Sequence, residues 1–232
     1  MISFLLKVWN TFLDILFPKI CLSCQKFIKE NSLLCANCLK SISINNALAC
    51  PTCFARLPDN KKICHFENNF LFGAASSYEN SAIRELIHAL KFKRIEKASV
   101  ILSSFLIKYA RLANLNLENF FVVPMPISKQ RFRERGFNQS ELIAKKFAAA
   151  FSLPLKNCLF RIKNSQPQSE IKSKELRMKN VSGCFQAENS VYNKNIILID
   201  DVFTTGVTAG EAVKTLRAAG ASKIIVLVTA KA

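Results

Sequence analysis

The sequence predicts an α/β protein: a mainly parallel sheet flanked by helices, preceded by a small cysteine-rich module. Three observations lead there. From Phe70 onward, strand-length apolar runs alternate with helix-length amphipathic ones. The run Ile196-Ile-Leu-Ile199 is apolar without a break, as suits a strand covered on both faces. Seven of the nine cysteines fall between residues 21 and 64, ahead of that alternation. We therefore expect a metal-binding module over residues 1–68 and an α/β domain over 69–232. A chain of 232 residues, half of them hydrophobic, is ample for one ordinary domain and a small satellite.

Residues 1–20 carry Phe4, Leu5, Val8, Trp9, Phe12, Leu13 and Leu16 at helical spacing, interrupted by Lys7, Asn10 and Asp14. The stretch is too broken to span a bilayer and reads as an amphipathic helix docked on its own protein. Contact with a membrane surface is the second reading. It has neither the basic start nor the small-residue cleavage site of a secretory signal, so a cytoplasmic location is expected. In that reducing setting, clustered cysteines mean metal more often than disulfides.

Cys21-x-x-Cys24 and Cys35-x-x-Cys38 each present two thiolates at the bite that tetrahedral zinc prefers. Four thiolates leave no open position for chemistry, so the site should be structural, supplying stability that so short a segment lacks. Cys50-x-x-Cys53 and Cys64 begin a second unit. Glu67 stands where its fourth cysteine is expected, and His65 is misplaced for a simple repeat. The expectation is one complete zinc site and an incomplete second one. Spacing alone also allows the first and third knuckles to pair. Cys158 and Cys184 lie outside the cluster and read as packing residues.

In the α/β part, 70–76 reads as a strand and 79–92 as a helix with Ile83, Leu86, Ile87 and Leu90 on one face. A second helix covers 96–112, and a strand at 120–123 stops at Pro124-Met-Pro126. Asn138 is a good N-cap for the next helix, with Glu141 placed as in a capping box. Residues 161–185 are polar, basic and aperiodic, hence loop or short irregular strands. The strand 196–199 precedes a helix over 209–219, Gly220 ends that helix, and 223–229 is the last strand.

The most telling stretch is Ile196-Ile-Leu-Ile-Asp-Asp-Val-Phe-Thr-Thr-Gly-Val-Thr208. In open α/β sheets, ligands bind beyond the carboxyl ends of the strands. A loop with free N–H groups leading into a helix is a ready anion site. Asp200 and Asp201 can accept from a vicinal diol, while Thr204, Thr205, Gly206, Val207 and Thr208 can surround a phosphate. A diol beside a phosphate describes a 5-phosphorylated ribose. An ordinary strand–turn–helix capped by Thr208 would leave two abutting, mutually repelling carboxylates unexplained. The segment resembles the PRPP-binding motif of type I phosphoribosyltransferases.

Thirty-three basic residues stand against sixteen acidic ones, a formal charge of +17, which favours polyanionic partners. Over half of the excess lies in 129–180, where 13 basic residues face 4 acidic ones. Lys129, Arg131, Arg133 and Arg135 follow directly on a strand end, over the same sheet edge as the Asp pair. Arginine's planar fork suits phosphate oxygens, and a PRPP site must also balance a diphosphate. Phe132 and Phe137 lie among these arginines. Anchoring the segment to the domain is the favoured role for both, with stacking on bases as the alternative.

Arg135-Gly-Phe-Asn-Gln139, Gln168, Arg177-x-x-Asn180, the 196–208 motif, the cysteine cluster and Leu16-Phe17-Pro18 together resemble the ComF family of competence proteins. The likeness runs over essentially the whole chain. It departs at the incomplete second cysteine unit, and at Arg94, where the family usually has glycine. The resemblance implies a type I phosphoribosyltransferase fold with a zinc-finger module. It further implies a cytoplasmic role in handling single-stranded DNA during natural transformation, alongside other competence proteins. If the protein is an enzyme, it transfers the pentosyl group of PRPP, with Mg²⁺, to an acceptor that the residues do not identify. Asp200 and Asp201 would orient the diol and stabilise the cationic transition state, and the arginines would screen the pyrophosphate. A non-catalytic DNA-binding module on this fold, and a nucleobase-salvage enzyme, are the competing readings.

Overall fold

The computed structural model describes residues 19–28, 32–57, 64–65, 70–163 and 181–232. Four strands, β1 (Leu71–Ser77), β2 (Phe120–Pro124), β5 (Asn195–Phe203) and β6 (Ile224–Lys231), form a sheet in the order β1-β6-β5-β2. Every pair in it is parallel. β5 and β6 are the central strands, and 196–199 and 224–230 within them are buried throughout, which is why those stretches read as apolar runs. A separate antiparallel pair joins β3 (Leu159–Arg161) to β4 (Phe185–Ala187).

After a single turn of helix in the module, α1 (Ala36–Lys40), the connections are helical: α2 (Ser81–Phe92), α3 (Lys97–Leu112), α4 (Lys129–Arg135), α5 (Gln139–Ala150) and α6 (Val207–Ala218). Asn80 caps α2 by accepting from the amides of Ala82 and Ile83. The helix then buries Ile83, Leu86, Ile87 and Leu90, the face that its periodicity predicts. Asn138 caps α5 through the amide of Ser140. Glu141, expected to complete a capping box, pairs instead with Lys145 one turn on.

Two apolar cores result. One holds Ile197, Ile199, Ile225 and Leu227 of the sheet with α2, α3 and α5, and also takes in Cys21, Leu34, Ile42, Leu48 and Cys50 of the module. The other packs Ile196, Leu198, Val226 and Val228 against α6 and the β3–β4 pair, with Cys158 and Cys184 buried in it as packing residues.

The module is stitched to the edge of β1. The Ala49 amide donates to Phe72 O at 2.8 Å, the Asn45 amide to Ala75 O at 2.9 Å, and Ser76 Oγ to Ser43 O at 2.9 Å. These bonds cover an edge that would otherwise be open to pairing. Tyr109 passes over the same edge and donates to Ala47 O at 2.7 Å. Gly73 makes room for it, since a Cβ there would lie 2.5 Å from the Tyr109 oxygen. Burial raises the pKa of this phenol and keeps it neutral.

Three expectations need correction. β5 runs on through Asp200 and Asp201 to Phe203, so the acid pair sits within the strand's last turns of pleat and not after it. The helix expected over 209–219, α6, already starts at Val207 with Gly206 as its N-cap, so Thr208 lies inside its first turn. The basic segment 129–135 is a helix, α4, capped by Ser128, where a loop is expected from its composition. Its ends carry the reason. Ser128 satisfies the Arg131 amide, and Gly136, at φ +83°, closes the C-terminus. The amphipathic segment 1–18 and Gln168, Arg177 and Asn180 lie outside the described residues. No helix among the described residues is long and apolar enough to cross a membrane.

Candidate functional site

The cysteines form two clusters. Cys21, Cys24, Cys35 and Cys38 bring their sulfurs within 4.8 Å of one another, and so do the ligand atoms of Cys50, Cys53, Cys64 and His65. Tetrahedral zinc with Zn–S near 2.3 Å sets sulfurs about 3.8 Å apart. Cys24 and Cys35 are 3.7 Å apart, and His65 Nδ1 stands 3.6 Å from Cys50 Sγ and 3.3 Å from Cys64 Sγ. Both donor sets fit a closed structural site. The second unit is therefore complete, with His65 as its fourth donor in place of the missing cysteine. The first knuckle pairs with the second, not with the third.

The first and third knuckles each turn back through a residue in left-handed conformation. The Gln25 amide donates to Cys21 O at 3.0 Å and the Phe54 amide to Cys50 O at 2.9 Å. Their φ angles are +61° and +60°. Left-handed backbone costs a non-glycine residue about 1–2 kcal/mol, so an aromatic side chain at 54 is unusual there. Burial pushes the Cys21 and Cys50 thiols up, yet nearby backbone N–H groups outweigh it and bring both down to about 6, towards the thiolate that a metal binds.

At the other centre, Asp200 is half-buried. Ser140 Oγ donates to its Oδ1 at 2.8 Å and the Asp201 amide donates to the same oxygen at 2.9 Å. Asp200 also lines a small cavity of about 50 Å³, together with Phe203, Thr204, Gly206 and Thr208 among others. Burial, then the neighbouring Asp201 charge, raise the Asp200 carboxyl to about 6. Asp201 is buried at 3% exposure, and Lys91 Nζ lies 2.8 Å from its Oδ2. The two acids thus occupy different environments: one faces the cavity, the other is clamped by a lysine from the end of α2.

Beyond Phe203 the chain exposes Thr204 and Thr205, turns at Gly206 (φ +76°) and enters α6 with no side-chain cap. The first amides of a helix have no intrahelical partner, and Thr204, Gly206, Thr208 and Ala209 at this N-terminus line the cavity. A Cβ at Gly206 would fall 2.5 Å from the Phe203 ring. The turn tolerates only glycine, on both conformational and steric grounds.

The basic helix brings its arginines to the same edge unequally. Arg135 is buried, its guanidinium 5.7 Å over the Phe92 ring. Burial lowers its pKa, and the nearby charge of Asp201 opposes this. Its Nη1 is buried without a hydrogen-bond partner among the described residues, as is Gln139 Oε1 at the other end of Arg135-Gly-Phe-Asn-Gln139. Within that motif Gly136 ends α4, Phe137 packs on the core, and Asn138 both caps α5 and donates to Met125 O at 3.0 Å. Arg131 is half-buried and Arg133 exposed. Phe132 is 50% exposed, so the anchoring expected of both phenylalanines holds for Phe137 and fails for Phe132.

Comparison with known proteins gives a separate family model for each of the two centres. Residues 12–66 match the family model of a double zinc ribbon domain, and residues 138–232 that of a phosphoribosyl transferase domain. The chain is 28% identical to the competence protein ComFC of Bacillus subtilis over 85% of its length and 78% of that protein. It is 26% identical to the DNA utilization protein YhgH of Salmonella typhimurium, over 88% of this chain and 87% of that one. Competence protein F of Haemophilus influenzae is 32% identical over 48% of this chain and 50% of its own. The chain is thus similar, over most of its length, to bacterial competence and DNA utilization proteins. The two four-donor clusters agree with the double zinc ribbon model.

Four further residues join the site, and of these the sequence singles out only Arg94, as a departure and not as a site residue. Lys91 pairs with Asp201, and Ser140 holds Asp200. Arg161 is close enough to feel the charges of Arg131 and Asp200. Arg94 donates a guanidinium N–H to Glu134 O on α4. It adopts φ +54°, a left-handed conformation that glycine takes most easily. Only Lys91 left a signal. It opens the basic run Lys91-Phe-Lys-Arg94, which the helix assignment absorbed.

Proposed function

We propose that the protein binds PRPP, with Mg²⁺, at the edge formed by the end of β5, the Thr204–Thr208 turn and helix α4. The observation that carries this reading is the convergence of a cavity-facing carboxylate, an uncapped helix N-terminus and a buried guanidinium with an unpaired nitrogen. The N–H groups of 204–208 suit the 5-phosphate, Asp200 the ribose diol, and Arg135 with Arg131 the diphosphate. Arg133, exposed, meets the ligand only from the rim. Asp201 contributes mainly through its clamp with Lys91, which keeps negative charge beside the ring where positive charge develops if the glycosidic bond is broken. Magnesium accompanies PRPP and neutralises part of its diphosphate charge. Pentosyl transfer is the reaction this arrangement supports, with the acceptor to be found by following PRPP consumption.

The cellular role we infer is cytoplasmic handling of single-stranded DNA during DNA uptake. The charge of +17 and Phe132, exposed between Arg131 and Arg133, support it. Calorimetric titration with Mg²⁺ and PRPP tests the first part. Saturable binding that Asp201→Asn abolishes is expected, and no binding by the unmodified protein refutes it. For the second part, affinity for single-stranded DNA should fall steeply with salt and fall further in Phe132→Ala. Flat salt dependence refutes it.

A further inference from the structure

The leading knuckles of the two metal sites, Cys21–Cys24 and Cys50–Cys53, share one backbone turn but differ in the residue at its left-handed corner. In the first it is Gln25, exposed and polar; in the second it is Phe54. An aromatic residue in that strained conformation calls for a compensating contact. Phe54 has one. Its ring meets Phe203 edge-on at 5.9 Å and Phe72 at 6.0 Å, and Lys231 Nζ lies 4.1 Å over its face. Phe203 is the last residue of β5, 3% exposed and tilted against Phe72 at 4.2 Å. It also fills the space beneath Gly206, where even a methyl group would collide with it. An unbroken line of contact thus runs from the Cys50–Cys53 knuckle through Phe54 and Phe203 to the turn that opens α6.

We propose that Phe54 is a positioning residue: it links the second metal ribbon to the Thr204–Thr208 turn, which keeps its shape only while that ribbon is intact. The structural part of this stands on the contacts above, and its consequence for PRPP rests on the function proposed for that turn. Metal at the second site fixes the knuckle, the knuckle fixes the ring, and the ring denies Phe203 the room to rotate away from Gly206. The first ribbon, whose corner carries no ring, has no such connection among the described residues.

Amide hydrogen exchange on the full, zinc-loaded chain tests this without any ligand. Phe54→Ala should retain both metals by elemental analysis yet speed exchange at residues 204–209 at least tenfold. Phe54→Tyr, which keeps the ring, should exchange like the unmodified protein. Cys53→Ser should loosen the same amides, and Cys24→Ser should leave them protected. Unchanged exchange at 204–209 in a folded Phe54→Ala protein overturns the proposal, and so does equal loosening by Cys24→Ser and Cys53→Ser. Phe54→Leu serves the same comparison if the alanine variant does not fold, because it keeps apolar bulk while losing the aromatic edge. Titration with Mg²⁺ and PRPP then separates the two ideas. Faster exchange together with no PRPP binding by the unmodified chain upholds the coupling and removes the PRPP reading. Weaker PRPP binding by Phe54→Ala, with Phe54→Tyr normal, upholds both.

Discussion

Replacing Gly206 by alanine probes the turn most directly. Two costs add there. Alanine at φ +76° pays the left-handed penalty of about 1–2 kcal/mol. Its Cβ would also sit 2.5 Å from the Phe203 ring, which is hemmed in by Phe72 and Phe54. Forcing a well-packed aromatic aside costs a further ~1–3 kcal/mol. We expect Gly206→Ala to destabilise by about 2–5 kcal/mol, a fall in Tm of roughly 5–15 °C for a chain of this size. Gly136→Ala is the control: its φ is +83°, but nothing lies within 4 Å of the added methyl. It should cost only the conformational share, about 1–2 kcal/mol. Urea denaturation read by circular dichroism measures both. In Phe203→Leu background the penalty of Gly206→Ala should shrink by about 1 kcal/mol or more, since the colliding ring is gone. Equal penalties at 206 and 136, or no relief from Phe203→Leu, would refute the steric reasoning.

Three other outcomes follow from the site. Elemental analysis should find two zinc ions per chain, and either His65→Ala or Cys53→Ser should leave one; a single ion in the unmodified protein would contradict the four-donor second site. Lys91→Met strands the Asp201 carboxylate at 3% exposure and should destabilise by about 2–4 kcal/mol, with Asp201→Asn in the same chain recovering most of it. If the double variant is no more stable than the single one, the pair is not what holds Lys91. Asp200, raised to about 6, binds a proton more tightly in the folded state than in the unfolded one. Its contribution therefore favours folding below about pH 4 and is lost as the pH climbs to about 6, on the order of 2–3 kcal/mol. Subtracting the stability profile of Asp200→Asn from that of the unmodified protein should reveal that decline, and a flat difference between pH 4 and 7 would exclude it.

The alternation of strands and helices, the buried central strands and the first metal site were legible in the chain because each rests on local periodicity or close ligand spacing. The carboxyl-edge motif was legible for the same reason: thirteen consecutive residues carry it. Helix α4 was not. Its residues are those of a solvated basic segment, and its helical state depends on caps at Ser128 and Gly136 that composition does not weigh. The second ribbon was misjudged because His65 fills its coordination only after the chain folds back, where Cys50 and Cys64 stand within 3.6 Å of Nδ1.

What the amino-acid order settles here is whatever neighbouring residues decide among themselves: apolar stripes, thiolate bites, a turn that needs glycine. What folding alone decides is which distant groups meet. The split of Asp200 from Asp201 into a cavity-facing acid and a lysine-bound one is of this kind, because strand pleating and helix packing bring Ser140 to the first and Lys91 to the second. So is the meeting of Phe54 with Phe203 across 149 positions of chain, for no periodicity in a sequence encodes contact between segments so far apart.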